Sequence, residues 1–254
     1  MPQSLYIDHA LKTYRNGNFY DICDPVVIET QVDIFLNDTK IASLACSPVN
    51  LEELAVGFLS SEGLILGSAD LLKIESGPHN QIFIYTASKL PPQKTNADRF
   101  INTCMSAGGN NDEVLLLDSP VTFRADDLLK LISTLNDTSY TFQKTGGVHS
   151  AGLGYKDNLL VRFEDIGRHN AVDKTFGFAC INHINLQDKC LVLSGRIAGE
   201  ILIKAARNHV SLVLSRSAPT LKSVQLADKL GLTIVGFARG DRFNLYTHYE
   251  RIIV

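Results

Sequence analysis

The chain has 254 residues, room for one large domain or two modest ones, which excludes a peptide-scale module. With 45% hydrophobic and 20% charged residues it can bury a sizeable core and is not a mainly disordered polymer. Its 24 Lys+Arg against 27 Asp+Glu leave a formal net charge of −3, which argues against a generic basic nucleic-acid surface but not against a local basic pocket.

The polar start of the chain lacks the apolar core of a signal peptide, and no apolar run is long enough to span a bilayer, so the expected location is the cytoplasm, with no membrane partner. Val26–Cys46 reads as two β-prone runs around the turn signal Asn37-Asp38. A helix follows, with Asn50 as N-cap, Glu53 completing a capping box, and Leu51, Leu54, Ala55, Phe58 and Leu59 at helical spacing. Gly63 suits its end. Another strand pair is expected around Gly77-Pro78. Residues 89–112 then lose periodicity and read as a loop with a short helix near Ala97–Ile101.

From Asp126 to Asn136, Leu128, Leu131, Ile132 and Leu135 trace one helical face. After Gly146-Gly147, residues 148–155 and 158–165 read as strands and Asn170–Ile181 as a helix. Strand then alternates with helix: 190–194, 201–209, 210–215, 219–230 and 232–237. This alternation implies an α/β fold with a mostly parallel sheet covered on both faces. Residues 1–125 form the expected smaller N-terminal α+β part, and residues 126–254 the α/β domain.

Five cysteines without a CxxC pair read as free thiols in a reducing compartment. Cys46, Cys180 and Cys190 fall on apolar elements, where they serve as small hydrophobes. Cys104 instead lies among turn formers, a setting that gives a thiolate access and a flexible tether; an incidental loop cysteine is the plainer alternative. His149 follows paired glycines and could move a proton, or simply half-fill a hairpin. The stretch from Glu164 to Lys174 crowds Asp165, Arg168 and His169 where a strand gives way to a helix, the edge at which α/β sheets bind ligands. Ser194-Gly195-Arg196, Ser215-Arg216-Ser217 and Phe237–Arg242 also follow strands. Together they point to a crevice for a phosphate-rich ligand gripped by backbone N–H groups and guanidinium forks. Walker A, GxGxxG and GxSxG patterns are absent, and so are the HxE and PCxxC ligand sets of zinc deaminases.

Five ordered blocks, Gly57–Ile65, Thr145–Leu153, Glu164–Lys174, Leu193–Arg207 and Ser217–Tyr246, resemble the formate dehydrogenase accessory sulfurtransferases, the FdhD/NarQ family. The resemblance implies a cytidine deaminase-like α/β sandwich without catalytic zinc or any metal of its own, and a homodimer. It implies a sulfurtransferase that takes persulfide sulfur from a cysteine desulfurase and passes it to molybdenum bis(molybdopterin guanine dinucleotide) before that cofactor enters the formate dehydrogenase apoenzyme. The family's CGxCG loop motif places its first cysteine, the sulfur carrier, on Cys104. The second falls on Ala107, Met105 replaces a glycine, and Gly108 is retained, so a relay here runs through one thiol. The family's guanine dinucleotide contact maps onto Phe237, Ala238, Arg239, Gly240, Asp241 and Arg242. His149, Asp165, Arg168, His169 and Arg196 carry over as pocket residues. Two other readings stay open: a non-catalytic carrier that delivers the molybdenum cofactor without moving sulfur, and a degenerate deaminase-fold nucleotide sensor.

Overall fold

The computed structural model describes residues 4–87, 100–101 and 116–254. It opens with a hairpin, β1 (Tyr6–Arg15) and β2 (Asn18–Val27), that bonds to no other strand among the described residues. Its turn, Asn16-Gly17, has φ of 51° and 85°. Asn-Gly is a strong hairpin signal, because both central residues of such a turn need positive φ.

The first sheet runs β5–β6–β3–β4–β7: Leu71–Ser76, Gln81–Thr86, Thr30–Leu36, Thr39–Cys46 and Phe100–Ile101. Val32, Ile34 and Leu36 alternate along β3, so one face of that strand is sealed against α1 (Leu51–Ser61) through Leu54, Phe58 and Leu59. Asn50 is the N-cap residue as expected, its carbonyl accepting Leu54 N–H at 3.0 Å, but its side chain makes no capping bond to the helix backbone. It takes the left-handed conformation (φ 57°) and its amide donates to Glu53 Oε1 at 3.1 Å. Of the helix expected near Ala97–Ile101, the described residues Phe100 and Ile101 are strand, paired in parallel with Ser43 and Leu44. The open edge of β4 offers backbone groups that this aromatic and β-branched pair can satisfy. The rest of that segment, with Cys104, Met105, Ala107 and Gly108, lies outside the described residues.

The second sheet has the order β10–β9–β11–β12–β13–β14: Asn158–Asp165, His149–Tyr155, Cys190–Leu193, Leu212–Ser215, Thr233–Arg239 and Arg242–Thr247. It is mixed, not mostly parallel. Only β11–β12 and β12–β13 run parallel; the flanking pairs are antiparallel. The reason is loop length: Lys156-Asp157 and Gly240-Asp241 are too short for a crossover and must form hairpins. A short parallel pair joins β8 (Phe123–Arg124) to β15 (Ile252–Ile253).

Helices cover both faces of this sheet. On one side α2 (Ala125–Asp137) packs Leu128, Leu131, Ile132 and Leu135 against Cys190, Val192, Leu212 and Leu214. On the other, α4 (Arg168–Ile181), α5 (Gly199–Arg207) and α6 (Leu221–Leu230) pack Val172, Phe176, Ile201 and Ala227 against Leu191, Leu193, Val213 and Ile234. The alternation along β11 sends successive side chains to opposite layers.

The two sheets meet through α1 and α4, and the crossing is close. A Cβ on Gly57 would stand 1.7 Å from the Asp173 carbonyl oxygen, and one on Gly177 would stand 1.8 Å from that of Glu53. Only glycine permits that approach, and α4 is accordingly buried on almost every side.

Candidate functional site: a cleft at one sheet edge

Parallel strands β11, β12 and β13 end on the same edge, where antiparallel β9 begins and β10 finishes. His149 and Asp165 are register partners there. The loops beyond these ends are stitched together. Ser150 N–H donates to Ser194 Oγ (2.9 Å) and Ser194 N–H to the Ser150 carbonyl (3.0 Å). Ser215 Oγ donates to the Gly195 carbonyl (2.6 Å), Phe237 N–H to that of Ser217 (3.1 Å), and Arg239 Nε to that of Arg216 (3.2 Å).

These loops form one wall of a cleft of about 550 Å³, with His149, Ser194, Arg216, Ser217 and Arg239 facing it. The opposite wall is the end of α2 and the helix after it, α3 (Tyr140–Thr145), through Asn136, Asp137, Ser139, Phe142 and Gln143. That wall escaped the sequence reading; its only signal was Asn136-Asp137 at the end of the α2 stripe. Glu164 builds it from below, accepting the backbone N–H groups of Thr141 (3.3 Å) and Phe142 (3.0 Å) and pairing with Arg162 Nη1 at 3.0 Å.

The residues singled out in sequence divide into two groups. His149 and Arg239 line the cleft, and Arg168 and Arg196 stand close enough to His149 to act on its charge without lining the cleft. Gly195 lets two of them meet, since a Cβ there would touch His149 Nδ1 at 3.4 Å and the Arg168 side chain at 3.7 Å. Burial and the charges of Arg168 and Arg196 push the His149 pKa down, against the pull of Asp165, so the ring favours its neutral form. Arg168 Nε is buried and makes no hydrogen bond among the described residues, leaving a charged donor to be satisfied. Arg196 and Arg239 are exposed. Phe237, with φ 52°, turns the end of β13 outward above the buried Ala238, and Gly240, Asp241 and Arg242 continue it as an exposed turn.

Asp165 and His169 belong to the second group. Asp165 is fully buried. Its carboxylate accepts Ser47 N–H (3.1 Å), Gly167 N–H (2.9 Å) and Asn170 Nδ2 (2.9 Å), and lies 2.7 Å from Lys174 Nζ, an ion pair lacking hydrogen-bond alignment. Asn170 also donates to the Ala45 carbonyl, and Ile166 N–H to Ser47 Oγ, so this turn ties the end of β4 to the second sheet. His169 is buried, its Nε2 3.0 Å from Glu200 Oε2 without hydrogen-bond alignment. Burial, with the charges of Lys204 and Arg168, pushes its pKa down to about 3. The half-exposed Glu200 is screened by water and offsets this little.

Burial also raises three thiols, Cys46 and Cys190 to about 12 and Cys180 to about 11, so they are protonated at neutral pH. Cys23, on the hairpin, is exposed. Among the described residues no group of three His, Cys, Asp or Glu side chains is placed to hold a metal ion, and no helix is long and apolar enough to cross a membrane.

The arrangement defines a class: an α/β protein that presents arginines and serines along one sheet edge. The FdhD/NarQ family profile matches residues 27–253. The sulfur carrier protein FdhD of Geobacillus kaustophilus (strain HTA426) is 39% identical over 249 residues, covering 95% of each chain. That of Staphylococcus aureus (strain MRSA252) is 38% identical over 266 aligned positions, covering 100% of this chain and 98% of its own. A crystal structure from Desulfotalea psychrophila, of a protein provisionally assigned as a formate dehydrogenase accessory protein, superposes with a TM-score of 0.84 at 28% identity, covering 98% of this chain and 100% of the other. The chain belongs to the FdhD/NarQ family.

Proposed function

We propose that this chain is a sulfur carrier for formate dehydrogenase, a sulfurtransferase acting through Cys104. In the first step the Cys104 thiolate attacks the terminal sulfur of a cysteine desulfurase persulfide. An S–S bond forms on Cys104, the desulfurase S–S bond breaks, and its cysteine leaves as a thiolate. In the second, the Cys104 S–S bond breaks, Cys104 departs as a thiolate with the bonding pair, and the sulfane sulfur would pass as sulfide to the molybdenum of a reduced bis(molybdopterin guanine dinucleotide). That cofactor, the cargo delivered to the apoenzyme, supplies the two electrons by rising two oxidation levels. The cleft's share is binding. Arg216 and Arg239 take the dinucleotide phosphates with Ser194 and Ser217, and the Phe237–Arg242 turn takes the guanine end. Arg168 and Arg196 offer positive charge to an anionic persulfide beside a neutral His149. Asp165 and His169 stand behind this surface as positioning residues.

The observation that carries this reading is the buried, unsatisfied Arg168 Nε beside a cleft whose strand ends bear arginines. Peptide mass spectrometry after incubation with an active cysteine desulfurase and L-cysteine tests it. The expected result is one added sulfur on the Cys104 peptide, absent in Cys104→Ala and unchanged in Cys23→Ser. Cys104→Ala is also expected to keep guanosine diphosphate binding while losing formate dehydrogenase activation. The replacement of the second loop cysteine by Ala107 favours a second reading, a carrier that delivers the cofactor without moving sulfur. Full activation by Cys104→Ala would establish that reading and overturn the first.

A further inference from the structure

The two walls of the cleft differ in chemistry. The strand-end wall carries Arg216 and Arg239, whereas the helix wall carries, among the described residues, the one carboxylate of the lining, Asp137, and its one aromatic ring, Phe142. Packing accounts for neither. Asp137 is exposed and is the last residue of α2, where the helix dipole opposes a negative charge. Among the described residues it makes no ion pair and its Oδ1 meets no donor; Ser133 Oγ donates to Oδ2 at 3.2 Å. A carboxylate also repels the phosphates that the facing arginines attract. Phe142 is 41% exposed although its backbone is fixed, its N–H donating to Glu164 Oε1 at 3.0 Å. Gln143 Nε2 joins the end of α2 to α3 by donating to the Asn136 and Asp137 carbonyls at 2.8 and 3.2 Å, so carboxylate and ring belong to one surface.

An ionised carboxylate only accepts hydrogen bonds, and its two oxygens suit a pair of adjacent donors. The pairing edge of guanine offers that pair, N1–H beside the N2 amine. Adenine and cytosine set one donor group beside an acceptor, and uracil sets one donor between two carbonyls, so each turns a lone pair on the carboxylate. An aromatic ring alongside gives a base a face to stack on. Arg239 belongs both to the cleft and to the Phe237–Arg242 turn, so a base held at that turn has the helix wall across from it. We propose that Asp137 sets the base specificity of this cleft, accepting N1–H and the N2 amine of a guanine that stacks on Phe142 while the opposite wall holds the phosphates. Asp137 can act so only if the cleft is the guanine dinucleotide site proposed above.

Titration calorimetry of the full chain with guanosine and inosine diphosphates and with inorganic pyrophosphate tests it, since inosine lacks only the N2 amine. The wild type is expected to bind guanosine diphosphate at least about tenfold more tightly than inosine diphosphate, the scale of one hydrogen bond to a charged group. Asp137→Ala is expected to erase that difference while binding pyrophosphate as well as the wild type or better, because a negative charge has left the cleft. Phe142→Ala is expected to weaken both nucleotides alike, by about tenfold, and to leave pyrophosphate unmoved. Unchanged melting temperatures would show that both variants fold. If Asp137 only adds charge, Asp137→Ala tightens both nucleotides equally. That result, a wild type that does not distinguish guanosine from inosine, or a difference that survives in Asp137→Ala overturns the proposal and leaves the anion-binding cleft standing. Nucleotide binding unchanged in Phe142→Ala overturns the stacking. A wild type that binds no guanosine diphosphate overturns both this assignment and the reading of the cleft on which it rests.

Discussion

The strand-to-helix turn after β10 and the strand ends of β11 to β13 are equally rich in charged residues, but the chain uses them differently. In the turn, Asp165 and Lys174 are both fully buried, and Asp173 on the same helix pairs with Lys204 Nζ at 2.6 and 2.7 Å and accepts from Ser61 Oγ. At the strand ends Arg196, Arg216 and Arg239 stand in solvent, the last two on the wall of a cleft. A dense run of ionisable residues is therefore no measure of a binding site. Half of this one wires α4 between two sheets, where each charge needs its partner, and half is free to meet a ligand.

The sharpest way to break that contrast is to remove one wired charge. Asp165→Ala strands Lys174 in the interior and frees the N–H groups of Ser47 and Gly167, so a loss of about 3–5 kcal/mol is expected in denaturant unfolding. Asp165→Asn with Lys174→Met removes both charges and should recover most of it. A small loss in the single variant would mean that water reaches the pair. Gly177→Ala attacks the same interface sterically. Its methyl would overlap the Glu53 carbonyl oxygen, α1 and α4 must part, and about 3 kcal/mol is expected, at the upper end for overpacking. Near-neutral melting of this variant would show that the two helices slide easily.

How much of this was legible follows from what each signal depends on. The α2 stripe of Leu128, Leu131, Ile132 and Leu135 reads directly, since that helix buries one face and its period survives. In α4 the buried set includes Asp173, Lys174 and Thr175, because neighbours press from both sides, so periodicity says little about it. The parallel centre of the second sheet was legible in its crossovers, but the antiparallel flanks overrode the alternation rule through two short turns. At the site, Arg196, Arg216 and Arg239 were visible as residues after strands. The burial of Asp165 was not: its partners Ser47, Asn170 and Lys174 include one 118 positions away, and only the assembled fold joins them.

Acid sharpens the comparison on the buried side. The His169 pKa is about 3 in the folded chain against an ordinary 6.5, so the unfolded chain binds the additional proton between those values. Stability from this residue is therefore complete above about pH 6.5 and falls with acidification, by at most about 1.4 kcal/mol per pH unit until the folded value is reached. Unfolding free energies measured from pH 7 to pH 5 are expected to drop in the wild type and to flatten in His169→Gln. Equal slopes would show that Glu200 holds the imidazolium.

On the open side the stability effect should be smallest. Arg239 is exposed and among the described residues its Nε bonds to the Arg216 carbonyl, so Arg239→Ala is expected to move unfolding by no more than about 0.5 kcal/mol. If the residue serves an anionic ligand, the same substitution weakens guanosine diphosphate binding and flattens its dependence on salt, because one screened guanidinium contact is gone. Titration calorimetry at two salt concentrations separates these effects. A variant that binds as the wild type does would remove Arg239 from the site. One that binds poorly and also unfolds early would place it with Asp165 among the wired charges.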